Sequence, residues 1–595
     1  MDLSHPLPTK LSRLFKKSFS LTAIIALSAC NASPAKQATN SVTDPVVTPT
    51  EVAQTKDSAQ PEPVETLPLT AELTYLILTA EIAQQRGDIV DAADLYSRAA
   101  HLLESPALAN RATQLANLTR DQRRINRALE RWVEVDPGNA DIYMLQTPFF
   151  MLQGNYNGVV TAANKALALA PERSTLYLSR TADNLSKIVP KNQALTIMEQ
   201  LVPYQQGNIE ALYQYARLAN YFQQYERALT TLNAISEQEP NNNNVLILKA
   251  KVLQSLNRPQ QALAVLKGPA SKTDSSKSIR FAYAKLLGEN NKIAESRRHF
   301  KTLAEEFPED QEIIFALGLL ALEQSDLKQA KESFHLLLSL GDNGKQAAYF
   351  LGLTEKQAEH IDKALVWFAS VPADSNRFEA AQTHYVELLA ETDQLSKARQ
   401  HIQSLRITHP QKAVQYYLFE ATFLREQGLK QAPYDVLNQA LEEYPQQIDL
   451  LYGRAMVAEQ LNRLDILEGD LRKILKLEPD NTQALNALGY TLTDRTDRHQ
   501  EALLLINKAL ELKPNDPFYL DSLGWVYYRL GKLELAAHYL RQAISLRNDI
   551  EFSAHLGEIL WQQGHHEKAK EVWEQALELD SNNQLLRSTM QRFGL

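Results

Sequence analysis

Side chains able to do chemistry are sparse in this 595-residue sequence, and few are spaced for it. No His-Glu-x-x-His occurs, so the helical zinc site of metalloproteases is missing; that site needs two histidines one turn apart beside a basic carboxylate. Gly341-Asp342-Asn343-Gly344-Lys345 has neither the spacing nor the hydroxyl of a phosphate loop. No Gly-x-Ser-x-Gly elbow is present to expose a nucleophilic serine. His565 and His566 follow Gly564 and read as a solvated turn rather than a metal site. Carboxylates are plentiful on helix faces, but none forms an isolated pair suited to acid/base work. The reading is no enzyme, no metal and no cofactor, with an undetected hydrolase as the enzyme-class alternative.

One reactive group stands out by position. Cys30 is the only cysteine. Before it come Lys10, Arg13, Lys16 and Lys17, then an apolar run over 19–27, too short to span a membrane. Leu27-Ser28-Ala29-Cys30 resembles the bacterial lipobox, in which small residues precede a cysteine that is lipidated before cleavage. The resemblance implies a signal peptide over 1–29, a diacylglyceryl group on Cys30 and an acyl group on its amine. Several chains anchor stably where one is marginal. The alternative is a buried thiol behind an ordinary secretory signal. Asn31, in place of aspartate, favours the outer membrane over retention in the inner one. The segment 30–68 is rich in Ala, Thr, Pro, Gln, Ser and Val, with no helical period. It reads as the lipidated cysteine and a disordered tether. Its coil span is about 35 Å, and about 120 Å fully stretched.

The remaining sequence repeats. Leu488-Gly489, Leu523-Gly524 and Leu556-Gly557 each head a helical stretch, followed by Ala502, Ala536 and Ala569, then by Ala509, Ala543 and Ala576. This is the spacing of a tetratricopeptide repeat, a helix-turn-helix unit of about 34 residues. Small residues let two helices approach, while Leu485, Leu488, Leu492 and Ile506 fill the space around them. Pro137, Pro171, Pro240, Pro308, Pro410, Pro445, Pro479 and Pro514 close successive blocks, since proline cannot continue a helix. Ala228-Leu232, Ala262-Leu266, Ala330-Phe334, Ala364-Phe368 and Ala398-Ile402 continue the pattern in a degenerate middle region. Pro433 takes a second-helix position, in the first turns or at a bend.

The expected fold is all-α: a solenoid superhelix of about fifteen helix pairs, preceded by the signal peptide and tether. An N-terminal array runs over 69–270 and a C-terminal one over 278–582. The stretch 271–277 is either a hinge or a long inter-repeat loop, and 583–595 is a cap or tail. Such arrays stack each unit on its neighbours and present long surfaces to other proteins. The net charge of −9, and no basic stripe interleaved with aromatics, argue against nucleic acid. A dense charge run, 494–499, reads as a solvated loop with internal ion pairs, or as a docking element. The first helix of each pair lines the concave face. That register brings Asn486, Tyr490, Phe518, Asp521, Trp525, Tyr528, Arg529, His555, Glu558 and Trp561 to a partner-binding surface, rich in the aromatic and arginine side chains that anchor interfaces. The competing reading packs Trp525 and Trp561 between adjacent repeats.

Three segments carry a closer resemblance: 71–83 before Gly87; 487–492 with Asp494-Arg495-Thr496; and 521–531, Asp-Ser-Leu-Gly-Trp-Val-Tyr-Tyr-Arg-Leu-Gly. With the lipobox and tether they resemble the outer-membrane repeat lipoproteins of proteobacteria. The best-known type is the lipoprotein partner of a periplasmic carboxy-terminal processing protease. That resemblance implies an adaptor that binds the serine protease, promotes its activity and presents cell-wall hydrolases to it, so governing peptidoglycan turnover. The membrane would be engaged through the lipid on Cys30, facing the periplasm. The alternative is a scaffold for envelope assembly or export of outer-membrane protein or polysaccharide.

Overall fold

The computed structural model describes residues 70–595. The signal segment, Cys30 and the tether lie outside the described residues. The described chain holds 32 α-helices and no strand. It divides into two compact units, one running to Ala358 and the other from Glu359 to Leu595.

The first unit contains eight helix pairs, from Ala71–Gln85 with Ile89–Leu102 to Gln311–Glu323 with Leu327–Ser339, with the one-turn helix Val202–Gln205 between the fourth and fifth pairs, and then Ala347–Gln357. The second opens with Ile361–Ala369, continues through six pairs and closes with the helix Gln584–Arg592. Counted along the chain, the helices make fifteen consecutive pairs, as the repeat spacing predicts. The segment 271–276 is a short turn between Pro259–Ala270 and Lys277–Glu289, and buried residues on both sides of it share one core running from Ala140 to Leu287.

The prolines explain the regularity. Each of the eight lies two residues beyond the last residue of a helix, as Pro479 follows Leu464–Leu477 and Pro514 follows His499–Leu512. Proline there removes a donor the helix cannot use and stops propagation. In five cases the side chain two positions further on caps the next helix: Asn139, Asn242, Asp310, Asn481 and Asp516. Asp516 accepts from the Phe518 and Tyr519 amides. One short motif thus ends one helix and starts the next. Pro433 is the third residue of Gln431–Glu443, in the first turn, where its missing N–H costs no bond. Pro148 sits deep inside Ala140–Leu152 and leaves the Met144 carbonyl without its amide; the buried Thr147 hydroxyl donates to that carbonyl at 2.9 Å.

Helices within a pair touch through small residues. A Cβ on Gly489 would stand 2.5 Å from Ile506 Cγ1, and one on Gly557 only 2.1 Å from Trp573 Nε1. Glycine here sets how close the two helices come.

Candidate protein-binding site

All ten side chains placed on the inner face by the repeat register lie on three first helices of the second unit: Thr482–Arg495, Pro517–Arg529 and Ile550–Gln562. Steps of three and four keep side chains on one helical face. Asp521, Trp525 and Tyr528 follow that rule.

Five of the ten form a connected chain. His555 Nδ1 donates to Asp521 Oδ1 at 2.9 Å. The Trp525 indole stacks on the His555 ring, centroids 4.3 Å apart and planes 22° apart. Tyr528 leans on Trp525 at 4.9 Å, and its hydroxyl donates to Glu558 Oε1 at 3.2 Å. Arg592, from the final helix, closes the chain on Glu558 Oε2 at 2.8 Å. Trp525 is only 8% exposed. The structure therefore uses these groups first to tie two adjacent repeats and the closing helix together.

The other five have separate surroundings. Phe518 meets Phe552 edge-on at 5.4 Å and lies under Arg547. Arg529 is exposed and reaches the Asp494 carbonyl at 3.4 Å. Trp561 is half-buried, stacked on His566 and Trp573 and tilted against Phe593. Asn486 and Tyr490 are one turn apart on Thr482–Arg495, and both are half-buried.

The electrostatics are unusual for a surface. Burial disfavours charge on His555, but the Asp521 carboxylate outweighs it and pushes the imidazole up to about 9, so it is cationic at neutral pH. Burial pushes Glu551 up to about 7; nearby His555 opposes, while Asp521, Asp549 and Glu459 add to the rise. Glu459 is raised by burial too. Tyr528 is pushed up to about 12 by burial and by Glu558. Tyr490 is held well above the usual phenol range by burial, with Glu551, Asp494, Asp521 and Glu459 all acting on it. Two buried polar atoms here have no hydrogen-bond partner: Asn486 Oδ1 and Trp525 Nε1.

Sequence reasoning missed Glu459, Glu551 and Arg592. Glu551 was within reach, being one turn before His555 on the same helix. Arg592 was not, because 583–595 carries no repeat signature.

The remaining motifs are structural. His565 and His566 are exposed, and His566 stacks on Trp561 at 4.3 Å. Among the described residues no group of three or more His, Cys, Asp or Glu is arranged to hold a metal ion. In the charge run, Arg498 pairs with Glu468 at 2.8 Å and with Glu501 at 2.7 Å, and Arg472 bridges the same two glutamates.

Comparison with known proteins agrees with this architecture. Tetratricopeptide-repeat profiles match residues 281–343, 468–517, 519–550 and 551–583. A profile for anaphase-promoting complex, cyclosome, subunit 3 matches 191–269. The TPR repeat-containing protein PA4667 of Pseudomonas aeruginosa is 43% identical over 213 residues, covering 36% of each chain. Cellulose synthase operon protein C of Pseudomonas fluorescens is 30% identical over 140 residues, 22% of this chain and 10% of that protein. The chain thus spans only about a third, and about a tenth, of these relatives. Among solved structures, a chain of the APC/C hetero-tetramer Cut9–Hcn1 is 14% identical, covering 83% of this chain and 97% of that one, with a TM-score of 0.28. The chain carries tetratricopeptide repeats, and its fold is suited to holding other proteins.

Proposed function

We propose that this tetratricopeptide-repeat chain is a non-catalytic adaptor lipoprotein. It is anchored through Cys30 in the outer membrane, faces the periplasm, binds a carboxy-terminal processing serine protease and brings cell-wall hydrolases to it. The observation that carries the reading is the row of first-helix side chains in the second unit, which includes buried polar atoms that no group among the described residues satisfies. A partner can supply those bonds, and a buried polar atom left without one costs free energy. Holding a protease and its substrate on one array raises their effective concentration without any new catalytic group. The likeness to the Pseudomonas repeat protein supports the scaffold part of the reading. The relative called cellulose synthase operon protein C favours a second reading, a scaffold for envelope assembly or polysaccharide export.

The test is reconstitution. Purified chain, protease and a candidate cell-wall hydrolase are mixed, and loss of the hydrolase is followed with time. Faster loss in the presence of the chain is expected. Equal survival with and without it removes the adaptor reading, and hydrolysis by the chain alone would restore an enzyme. Trp525→Phe keeps an aromatic ring beside His555 and removes the free indole N–H together with the fused five-membered ring. It is expected to weaken partner binding about tenfold, the cost of leaving the partner's acceptor unsatisfied, with the helical circular dichroism signal unchanged.

A further inference from the structure

The inner face of the second unit has a donor–acceptor imbalance. Four polar side chains on three helices supply acceptor oxygens: the Glu459 carboxylate from Ile448–Gln460, Asn486 Oδ1 and the Tyr490 hydroxyl from Thr482–Arg495, and the Glu551 carboxylate from Ile550–Gln562. Asn486 and Tyr490 share a helical face, being four residues apart. Glu459, Tyr490 and Glu551 act on one another electrostatically, so they occupy one neighbourhood. All four residues are half-buried. Among the described residues no cation lies within ion-pair distance of Glu459 or Glu551. The cations nearby are taken: Arg495 by Asp494, His555 by Asp521 and Arg592 by Glu558. Asn486 Oδ1 has no donor.

A second, independent feature points the same way. The Trp525 indole is more than nine-tenths buried and stacked on His555, inside this cluster, and its N–H has no acceptor. A metal ion or a free polyamine would satisfy the carboxylates and leave that N–H unmet. A peptide carries both groups: a cationic side chain that donates and a backbone carbonyl that accepts. An extended segment also suits a face made of parallel helices, because it can lie across several of them.

We propose that this face captures an extended, arginine- or lysine-bearing segment of the partner protein, with the cation among Glu459, Glu551, Asn486 and Tyr490 and a backbone carbonyl on the Trp525 indole N–H. It rests on the scaffold reading above and adds the chemistry of what is held. Binding then depends on pH. Glu551 sits near 7, and the groups facing it are His555 and Asp549 on or beside its own helix, Asp521 from Pro517–Arg529, Tyr490 from Thr482–Arg495, and Glu459. A bound cation favours the ionised carboxylate, so binding below neutrality must expel a proton. Affinity therefore rises as pH rises from about 6 to about 8.

The experiment titrates the whole mature chain with short fluorescent peptides of alternating arginine and serine, of glutamine and serine, and of glutamate and serine. Anisotropy is read at both ends of that pH range. The arginine peptide is expected to bind best, and more tightly at the higher pH. Glu551→Gln keeps the side-chain volume and is expected to lower that affinity about tenfold, the scale for a half-desolvated ion pair. Glu574→Gln, an exposed charge on a second helix, controls for net charge and is expected to change nothing. Equal losses in the two variants, or no preference for arginine over glutamine, overturn the proposal. If the arginine peptide fails while the reconstituted protease assay still depends on this chain, only the peptide chemistry falls and the adaptor stands. If the peptide binds and the assay shows no dependence, the cationic site stands on a scaffold of another purpose.

Discussion

Single residues decide how tightly the repeats close. Gly557 and Gly469 make the sharpest contrast. A methyl on Gly557 would collide with the Trp573 indole, which is fully buried and donates to the Ala554 carbonyl at 3.2 Å. The ring has nowhere to go without breaking that bond. Gly557→Ala is therefore expected to destabilise the second unit by about 1–3 kcal/mol, the usual cost of overpacking. Gly469 lies in the helix Leu464–Leu477 with nothing within 4 Å of an added Cβ. Gly469→Ala is expected to stabilise by about 0.5–1 kcal/mol, because alanine loses less backbone entropy in a helix. Urea unfolding of the two variants would show opposite shifts, and a shared sign would refute the close-approach argument. The glycine at the helix contact was legible in the sequence, as it recurs at 489, 524 and 557. The neighbour that makes it necessary was not. Position 573 holds tryptophan where 506 holds isoleucine and 540 holds leucine, and only packing reveals that this indole occupies the space. The same holds for Trp525. Its spacing places it on the inner face, yet a pattern of steps cannot tell that its ring stacks on a histidine one repeat away.

Elements are set by punctuation more than by propensity. Proline two residues past a helix end, followed two positions later by Asn or Asp, both stops and restarts the chain in five places. That made the helix boundaries readable even in the degenerate middle region, where the apolar pattern alone is weak. The three exceptions are informative. Pro171 and Pro410 open one-turn 3-10 helices, and Pro445 is followed by Gln447, whose side chain makes no capping bond to Ile448–Gln460. Gln447→Asp is expected to add the missing cap and stabilise by about 0.5–1 kcal/mol, while Asp516→Ala, which strips two amides of their acceptor, is expected to cost about 1 kcal/mol. Thermal melts of the two variants would move apart, and unchanged melting for both would mean that inter-repeat packing, not capping, fixes these helix starts. The closing helix Gln584–Arg592 had no such punctuation to read beyond Asn583, which caps it. Its contribution, Arg592 on Glu558, depends on a tertiary contact that no local rule contains.

At the scale of the whole molecule, the number of helix pairs follows from repeat length, because a solenoid adds one unit per period and each unit needs only its neighbours. The division at Glu359 does not follow from it. The local composition near 271–277 is the richest in turn-forming residues, yet buried side chains run through that turn without a break. Loop composition reports where the backbone can bend, whereas compactness depends on which side chains meet across the bend. The proposed attachment to the membrane belongs to this scale too, since it decides where two folded units can work. If Cys30 carries the lipid, everything after residue 68 hangs from a tether whose composition permits about 35 Å of reach as a coil. Cys30→Ser removes the thiol that would be acylated and leaves the repeats untouched. The variant is expected to leave the membrane fraction for the soluble one and to lose incorporation of labelled palmitate, with an unaltered helical signal and unaltered affinity for the arginine peptide. Since two or more acyl chains hold a protein on a bilayer where one is marginal, the shift should be nearly complete. A Cys30→Ser chain that still sediments with membranes would show that another contact holds it there, and the lipid anchor would have to be given up.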